Sequence, residues 1–139
     1  MDPELDPLAA GGLLERIVAW AGQAVGTPNG YICLIEPDSG EMVLRLGTGA
    51  YSGLVGLRML KGEGLSGRVW ETGQPLAIPD YSRWEGRVPQ IAAENFRAVL
   101  GVPLIIGGNV IGVIGLAFSE PGREFSDEEV DQVSRFAEV

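Results

Sequence analysis

The chain has 139 residues, 45% hydrophobic and 21% charged, enough apolar surface for one core and too short for two. Nineteen acidic side chains against ten basic ones give a formal net charge of -9, which repels a phosphate backbone and argues against nucleic acid as a direct partner. The absence of histidine and the single cysteine, Cys33, exclude the commonest general base, a common metal ligand and any internal disulfide.

The acidic start Met1-Asp2-Pro3-Glu4 lacks the basic and then apolar character of a signal peptide. No uninterrupted apolar run reaches the ~20 residues that cross a bilayer. A cytoplasmic domain without membrane contact of its own is expected.

From Leu8 to Val25, apolar residues Leu13, Leu14, Ile17, Val18, Ala21, Ala24 and Val25 recur at spacings of three and four. That spacing predicts a first helix, ended by Gly26-Thr27-Pro28. Tyr31 to Ile35 and Met42 to Leu46 are short apolar runs joined by Pro37-Asp38-Ser39-Gly40, which predicts an antiparallel hairpin. A short strand at Leu57 to Leu60, a short helix around Ser66 to Thr72 and a strand at Leu76 to Ile78 follow, then an irregular stretch from Asp80 to Asn95. Val99 to Ile106 and Val110 to Phe118 form a second hairpin around Gly107-Gly108-Asn109, whose residues tolerate positive φ. Both strands lack polar alternation, so the sheet should be covered on both faces. Ser126 with Glu129 three positions on is a capping box, and Val130, Val133, Phe136 and Ala137 extend an apolar stripe toward Val139 with no stop signal. A last helix over 126–139 that continues beyond the chain is expected. The order of elements, without an internal repeat, predicts an α+β fold around an antiparallel sheet.

Gly62-Glu63-Gly64-Leu65-Ser66-Gly67 matches G-x-G-x-x-G, and Asp80 lies eighteen residues after Gly62, as in a dinucleotide-binding fingerprint. The helix that follows has room for only about two turns before Gly73-Gln74-Pro75, too short for a parallel crossover. The later strands pair as hairpins, so no doubly wound sheet can form around these glycines.

The same residues carry a different resemblance. Gly64-Leu65-Ser66-Gly67-Arg68-Val69, Glu71-Thr72-Gly73-Gln74-Pro75 and Ile78-Pro79-Asp80-Tyr81 are similar to the central signature of GAF domains. The likeness continues through Ala98 to Ile105, Gly112-Val113-Ile114-Gly115-Leu116 and Phe125 to Glu129, in the family's order. It implies one GAF-like domain over residues 1–139, a fragment of a longer multidomain protein, with a fold related to PAS domains. That fold is an antiparallel sheet of five or six strands, terminal helices on one face, and a pocket under the Leu57-to-Phe96 connections on the other.

The resemblance also implies what to look for chemically. No Asn-Lys…Phe…Asp-Glu set for cyclic nucleotides is present, since Asn95-Phe96 has no neighbouring lysine. A covalent bilin would need a suitably placed cysteine beside histidine, and Cys33 sits in an early strand; haem would need an axial histidine. The methionine sulfoxide reductases of this fold need resolving cysteines that one thiol cannot supply. No cofactor or metal is therefore expected, and no catalytic residue: Ser66, Asp80 and Tyr81 could do acid-base work but lack a nucleophile-base set.

The candidate pocket residues are Val69, Ile78, Asp80, Tyr81, Trp84, Phe96, Arg97 and Val99. Asp80, Tyr81 and Trp84 form a pocket wall on one reading; on the other, Asp80 caps a turn while the rings cover the sheet edge. Arg68, Arg83, Arg87 and Arg97 suggest an anionic ligand such as a carboxylate or phosphate, or are solvated surface groups. Cys33 reads as a small buried hydrophobe or as a redox sensor. Leu14, Ile17, Val18 and Ala21 of the first helix and Val133 and Phe136 of the last are candidate dimer and signalling positions, or pack on their own sheet. A homodimer is expected, with an output domain covalently linked outside this chain. The expected function is a small-molecule-binding sensory domain that couples pocket occupancy to that output through its terminal helices. The alternative is a ligandless dimerisation or spacer module.

Overall fold

Six strands, three α-helices and two 3₁₀ turns make up the residues that the computed structural model describes, 12–91 and 96–138. Helix α1, Leu13–Val25, ends at Gly26, whose φ of 80° closes the helix with an N–H to the Gly22 carbonyl; the expected start at Leu8 lies outside the described residues. Strands β1, Asn29–Glu36, and β2, Glu41–Thr48, form the first hairpin. A 3₁₀ turn at Gly49–Leu54 leads to the two-residue β3, Arg58–Met59, and then to α2, Gly64–Thr72. Strand β4, Leu76–Ile78, is followed by a 3₁₀ turn at Tyr81–Arg83, the hairpin β5, Val99–Ile106, with β6, Asn109–Ala117, and α3, Asp127–Phe136.

The sheet order is β3-β2-β1-β6-β5-β4, and every pairing is antiparallel. The glycine motif at Gly62 to Gly67 therefore opens a nine-residue helix lying across an antiparallel sheet.

Period-two alternation divides the central strands between two cores. Ile32, Leu100, Val102, Leu104, Ile114 and Leu116 pack under α1 and α3. Tyr31, Cys33, Met42, Leu44, Val99 and Val113 pack on the opposite side under α2 and the connections. Leu44 and Leu46 are two apart and would share a face in a regular strand. A shift of register between Ile32 and Cys33 leaves Arg45 unpaired, so Leu44 joins the second core and Leu46 the first.

In the middle of the sheet Gly101 pairs with Gly115, and Gly115 pairs with Tyr31. A Cβ on Gly115 would overlap the Tyr31 ring, and one on Gly101 would stand 3.1 Å from Val69 Cγ2 and 3.3 Å from Leu65 Cγ. The two glycines thus form a floor low enough for a tyrosine ring and the α2 side chains to lie directly on the strands.

The terminal helices meet each other as well as the sheet. Ser126 and Glu129 form the expected capping box, with Ser126 Oγ accepting from the Glu129 N–H and Glu129 accepting from the Ser126 N–H. Arg123 adds a clasp: its guanidinium donates to both Glu129 carboxylate oxygens, at 2.6 and 3.1 Å, and to the Val25 carbonyl at the end of α1, and it lies over the Phe118 ring. This pairing holds the Glu129 carboxyl down at about 2.

One expectation is corrected here. The last helix stops at Phe136 instead of running to Val139, which lies outside the described residues. The short β4 covers β5 only from Val99 to Gly101, which leaves the Ile105 N–H at an open edge; that group donates to the Ala137 carbonyl at 2.8 Å, and Glu138 bridges Ile105 in parallel. The helix stripe is also committed to this domain's own core: Leu14, Ile17, Val18, Ala21 and Val133 are buried against the sheet, with Phe136 partly buried beside them. Among the described residues of α1, the large hydrophobic left exposed is Trp20, 49% accessible, beside Glu15, Arg16, Ala19 and Gln23.

Gly115→Ala should lower stability in urea denaturation by about 2–3 kcal/mol through overpacking, and Gly101→Ala, whose added carbon would need its neighbours to give by only a few tenths of an ångström, by about 1 kcal/mol. Equal, negligible losses would refute the glycine floor. Glu129→Gln keeps the capping box but removes the charge opposite Arg123. Because the folded carboxyl titrates near 2 and an ordinary one near 4.5, the wild-type advantage of about 0.5–1 kcal/mol at neutral pH should fade between pH 4.5 and 2 in acid melts.

Candidate functional site

The second core contains a cavity. Its floor is Tyr31 and Leu44 with Val99 from the sheet, and its cover brings Tyr51 from the first 3₁₀ turn, Leu57 and Met59, Leu65 and Ser66 of α2, then Tyr81, Val88, Ile91 and Phe96. The space between them is about 20 Å³, room for one water-sized molecule. Aromatic rings close it: Tyr51 stacks on Phe96 at 4.5 Å between centroids and meets Tyr31 edge-on at 4.7 Å, and Tyr81 stands edge-on to Phe96.

The polar atoms of this wall are hydroxyls. Tyr31 Oη and Ser66 Oγ share a hydrogen bond of 2.5 Å. The Tyr81 hydroxyl accepts from the buried Val88 N–H at 3.0 Å. Burial raises the tyrosine pKa values at Tyr31, Tyr51 and Tyr81, because a phenolate there would lose its hydration. Behind Ser66 lies Cys33, fully buried, its thiol pushed up to about 12 by the same desolvation.

The cover over residues 84–91 is fastened to α2. The Arg68 guanidinium lies 4.8 Å from the Trp84 ring, and Val88 reaches Gly64, where a Cβ would come within 2.8 Å of Val88 Cγ1. Gly64 has a φ of 65°, so both its backbone and its bare α-carbon are used there.

Of the residues expected at the pocket, Tyr81, Phe96 and Val99 line the cavity together. Val69 is buried beneath α2 in the same core, and Ile78 and Trp84 are partly buried at its margin. Asp80 and Arg97 lie elsewhere, on a surface cleft with Pro79, Pro121, Gly122 and Glu124. Asp80 is a turn cap: its Oδ1 accepts from the Ser82 N–H at 3.1 Å and the Ser82 hydroxyl at 2.6 Å, bonds that hold its carboxyl below the usual range. Arg97 and Arg83 face Asp80, Arg87 donates to the Trp84 carbonyl, and Arg68 is stacked on Trp84. None of the four lines the cavity, which removes the ground for an anionic ligand there.

Tyr31, Tyr51 and Ser66 were not among the expected residues. Tyr31 was within reach of the pattern, since it alternates with Cys33 along β1 and sits opposite a glycine. Tyr51 lies in a glycine-rich connection, Gly49-Ala50-Tyr51-Ser52-Gly53, with no periodicity to betray a buried ring.

The family model "GAF domain" matches residues 10–139. Among solved structures, the GAF domain of a phosphoenolpyruvate-protein phosphotransferase (ptsP) from Coxiella burnetii superposes with a TM-score of 0.74 at 27% identity, covering 90% of this chain and 78% of that one. A free methionine-R-sulfoxide reductase from Neisseria meningitidis, in complex with its substrate, gives a TM-score of 0.76 at 22% identity, with 91% and 72% covered. The GAF-B domain of DevS from Mycobacterium smegmatis gives 0.69 at 18%, with 88% and 82% covered. A comparison with curated proteins gives no match. A match over nearly the whole chain, together with the antiparallel sheet between two helices and a covered cavity, places this chain in the GAF domain family.

Proposed function

We propose that this chain is a regulatory domain that binds a small molecule between the sheet and α2 and passes the occupancy on through its terminal segments. The observation that carries this reading is the cavity wall itself: the rings and hydroxyls of Tyr31, Tyr51, Ser66, Tyr81 and Phe96, from five separate stretches of chain, converge on one apolar space. In the described conformation that space is about 20 Å³, so a ligand larger than water must part the lining side chains. Such a ligand signals only through unequal affinity for the closed and parted states.

Catalysis of the thiol kind fits poorly with these residues. A nucleophilic cysteine needs a thiolate, and Cys33 is buried with its pKa near 12. The small volume of the cavity favours one competing reading, a ligandless spacer whose cavity is simply packed by Tyr51 and Phe96.

Native mass spectrometry of the freshly purified chain, followed by denaturation and analysis of released material, tests the proposal. A stoichiometric adduct of low mass is expected, and a ligand at 100 times its Kd should raise stability by about 2.7 kcal/mol. A bare mass, with no thermal shift from small uncharged aromatic compounds, would favour the spacer instead.

Cys33 offers a separate check. Its thiol should resist alkylation in the folded protein at pH 8 and react fully in urea. Since the unfolded thiol ionises near 9 and the folded one near 12, unfolding releases a proton in that interval and stability should fall as pH rises above 9. Rapid alkylation of the native protein would overturn the burial assigned to Cys33.

A further inference from the structure

The hydroxyls of the cavity wall do not balance as hydrogen-bonding partners. Tyr31 and Ser66 share one hydrogen bond, which uses one of their two protons. Tyr81 accepts from the Val88 N–H, which can give nothing back, so no described residue accepts the proton of the Tyr81 hydroxyl. Tyr51 is 3% exposed and makes no hydrogen bond to any described residue through its hydroxyl. Tyr51 lines the cavity, and among the described residues every fully sealed side-chain nitrogen or oxygen has a partner, so the Tyr51 oxygen is not fully sealed. Among the described residues, the wall thus presents the Tyr51 and Tyr81 hydroxyl protons without acceptors and no side-chain carboxylate, amide or ammonium.

Resting on the binding-site reading above, we infer that the ligand is a small uncharged molecule with a flat, largely apolar body and a hydrogen-bond acceptor, of the neutral carbonyl or aza-aromatic class, held by Tyr51 and Tyr81. The rings of Tyr31, Tyr51 and Phe96 supply the aromatic surface that such a body would lie against once the lining side chains part. An anion would be buried with no cation in contact, because the nearby arginines are engaged by Asp80 and Trp84 outside the cavity.

Three probes of similar size separate these requirements: acetophenone, ethylbenzene and benzoate, titrated into the full chain and followed by amide chemical shifts. Acetophenone should bind at least about fivefold more tightly than ethylbenzene, the worth of about one hydrogen bond, and benzoate should bind weakest. Tyr51→Phe and Tyr81→Phe should each bring acetophenone toward ethylbenzene while leaving ethylbenzene within about twofold. Should either variant fail to fold, the probe ratio in the wild type decides alone. Equal binding of acetophenone and ethylbenzene at the cavity amides would overturn the donor role and spare the binding site. Tightest binding by benzoate would overturn the uncharged class. No shift of cavity amides by any probe would overturn both this inference and the binding-site reading on which it rests.

Discussion

The contact on which the architecture turns is the one between the Tyr31 ring and the bare backbone of Gly115. Most antiparallel sheets carry side chains on both faces of every strand, and those side chains keep an overlying helix about 10 Å away. Here Gly101 and Gly115 stand side by side in β5 and β6, so Tyr31 can lie over the strand and Leu65 and Val69 of α2 can reach the floor. With the ring laid down, its hydroxyl reaches Ser66, which fixes the height of α2. The position of α2 in turn places Gly64 under Val88 and Arg68 over Trp84, so the cover inherits its location from a pair of missing side chains.

The same arrangement explains why the cavity is polar only in a limited way. Each group on the floor is buried, and each titratable one is held in its neutral form by desolvation. Charged residues of the region are not lost but displaced outward by a few ångströms, where water and one another satisfy them. Chemistry that needs an ionised nucleophile is disfavoured by this wall. Recognition by shape, ring contact and hydroxyl donation is what it can do.

Much of the fold was legible because it rests on periodicity and local chemistry. The α1 stripe, both hairpins, the capping box at Ser126 and Glu129, and the rejection of a dinucleotide fold all follow from spacing and turn residues. The cavity was legible only where it borrows from the sheet or its neighbouring signature, as at Val99 and Tyr81. Asp80 and Arg97 were attractive because charged residues beside a pocket suggest a charged ligand, yet a two-residue hydrogen-bonded turn at Ser82 claims Asp80 and turns it outward. Tyr51 and Ser66 are set by long-range packing that no local window contains. The end of α3 was missed for a related reason: its stop is an open N–H on Ile105, roughly thirty residues away in sequence, rather than a glycine or proline.

On the proposed reading, the way occupancy could leave the cavity is constrained by parity. Adjacent residues of one strand serve opposite cores: Val99 lines the cavity while Leu100 packs under the helices, and Cys33 and Ile32, or Val113 and Ile114, divide in the same way. A close-packed strand cannot move one of these without the other. Strand β5 goes further, because it begins at the cavity wall and reaches Ile105, whose N–H holds Ala137 just past the end of α3. At the other end of α3, Arg123 joins Glu129 to the last carbonyl of α1. The last helix is therefore pinned at its start to the first helix and at its finish to a strand of the cavity floor.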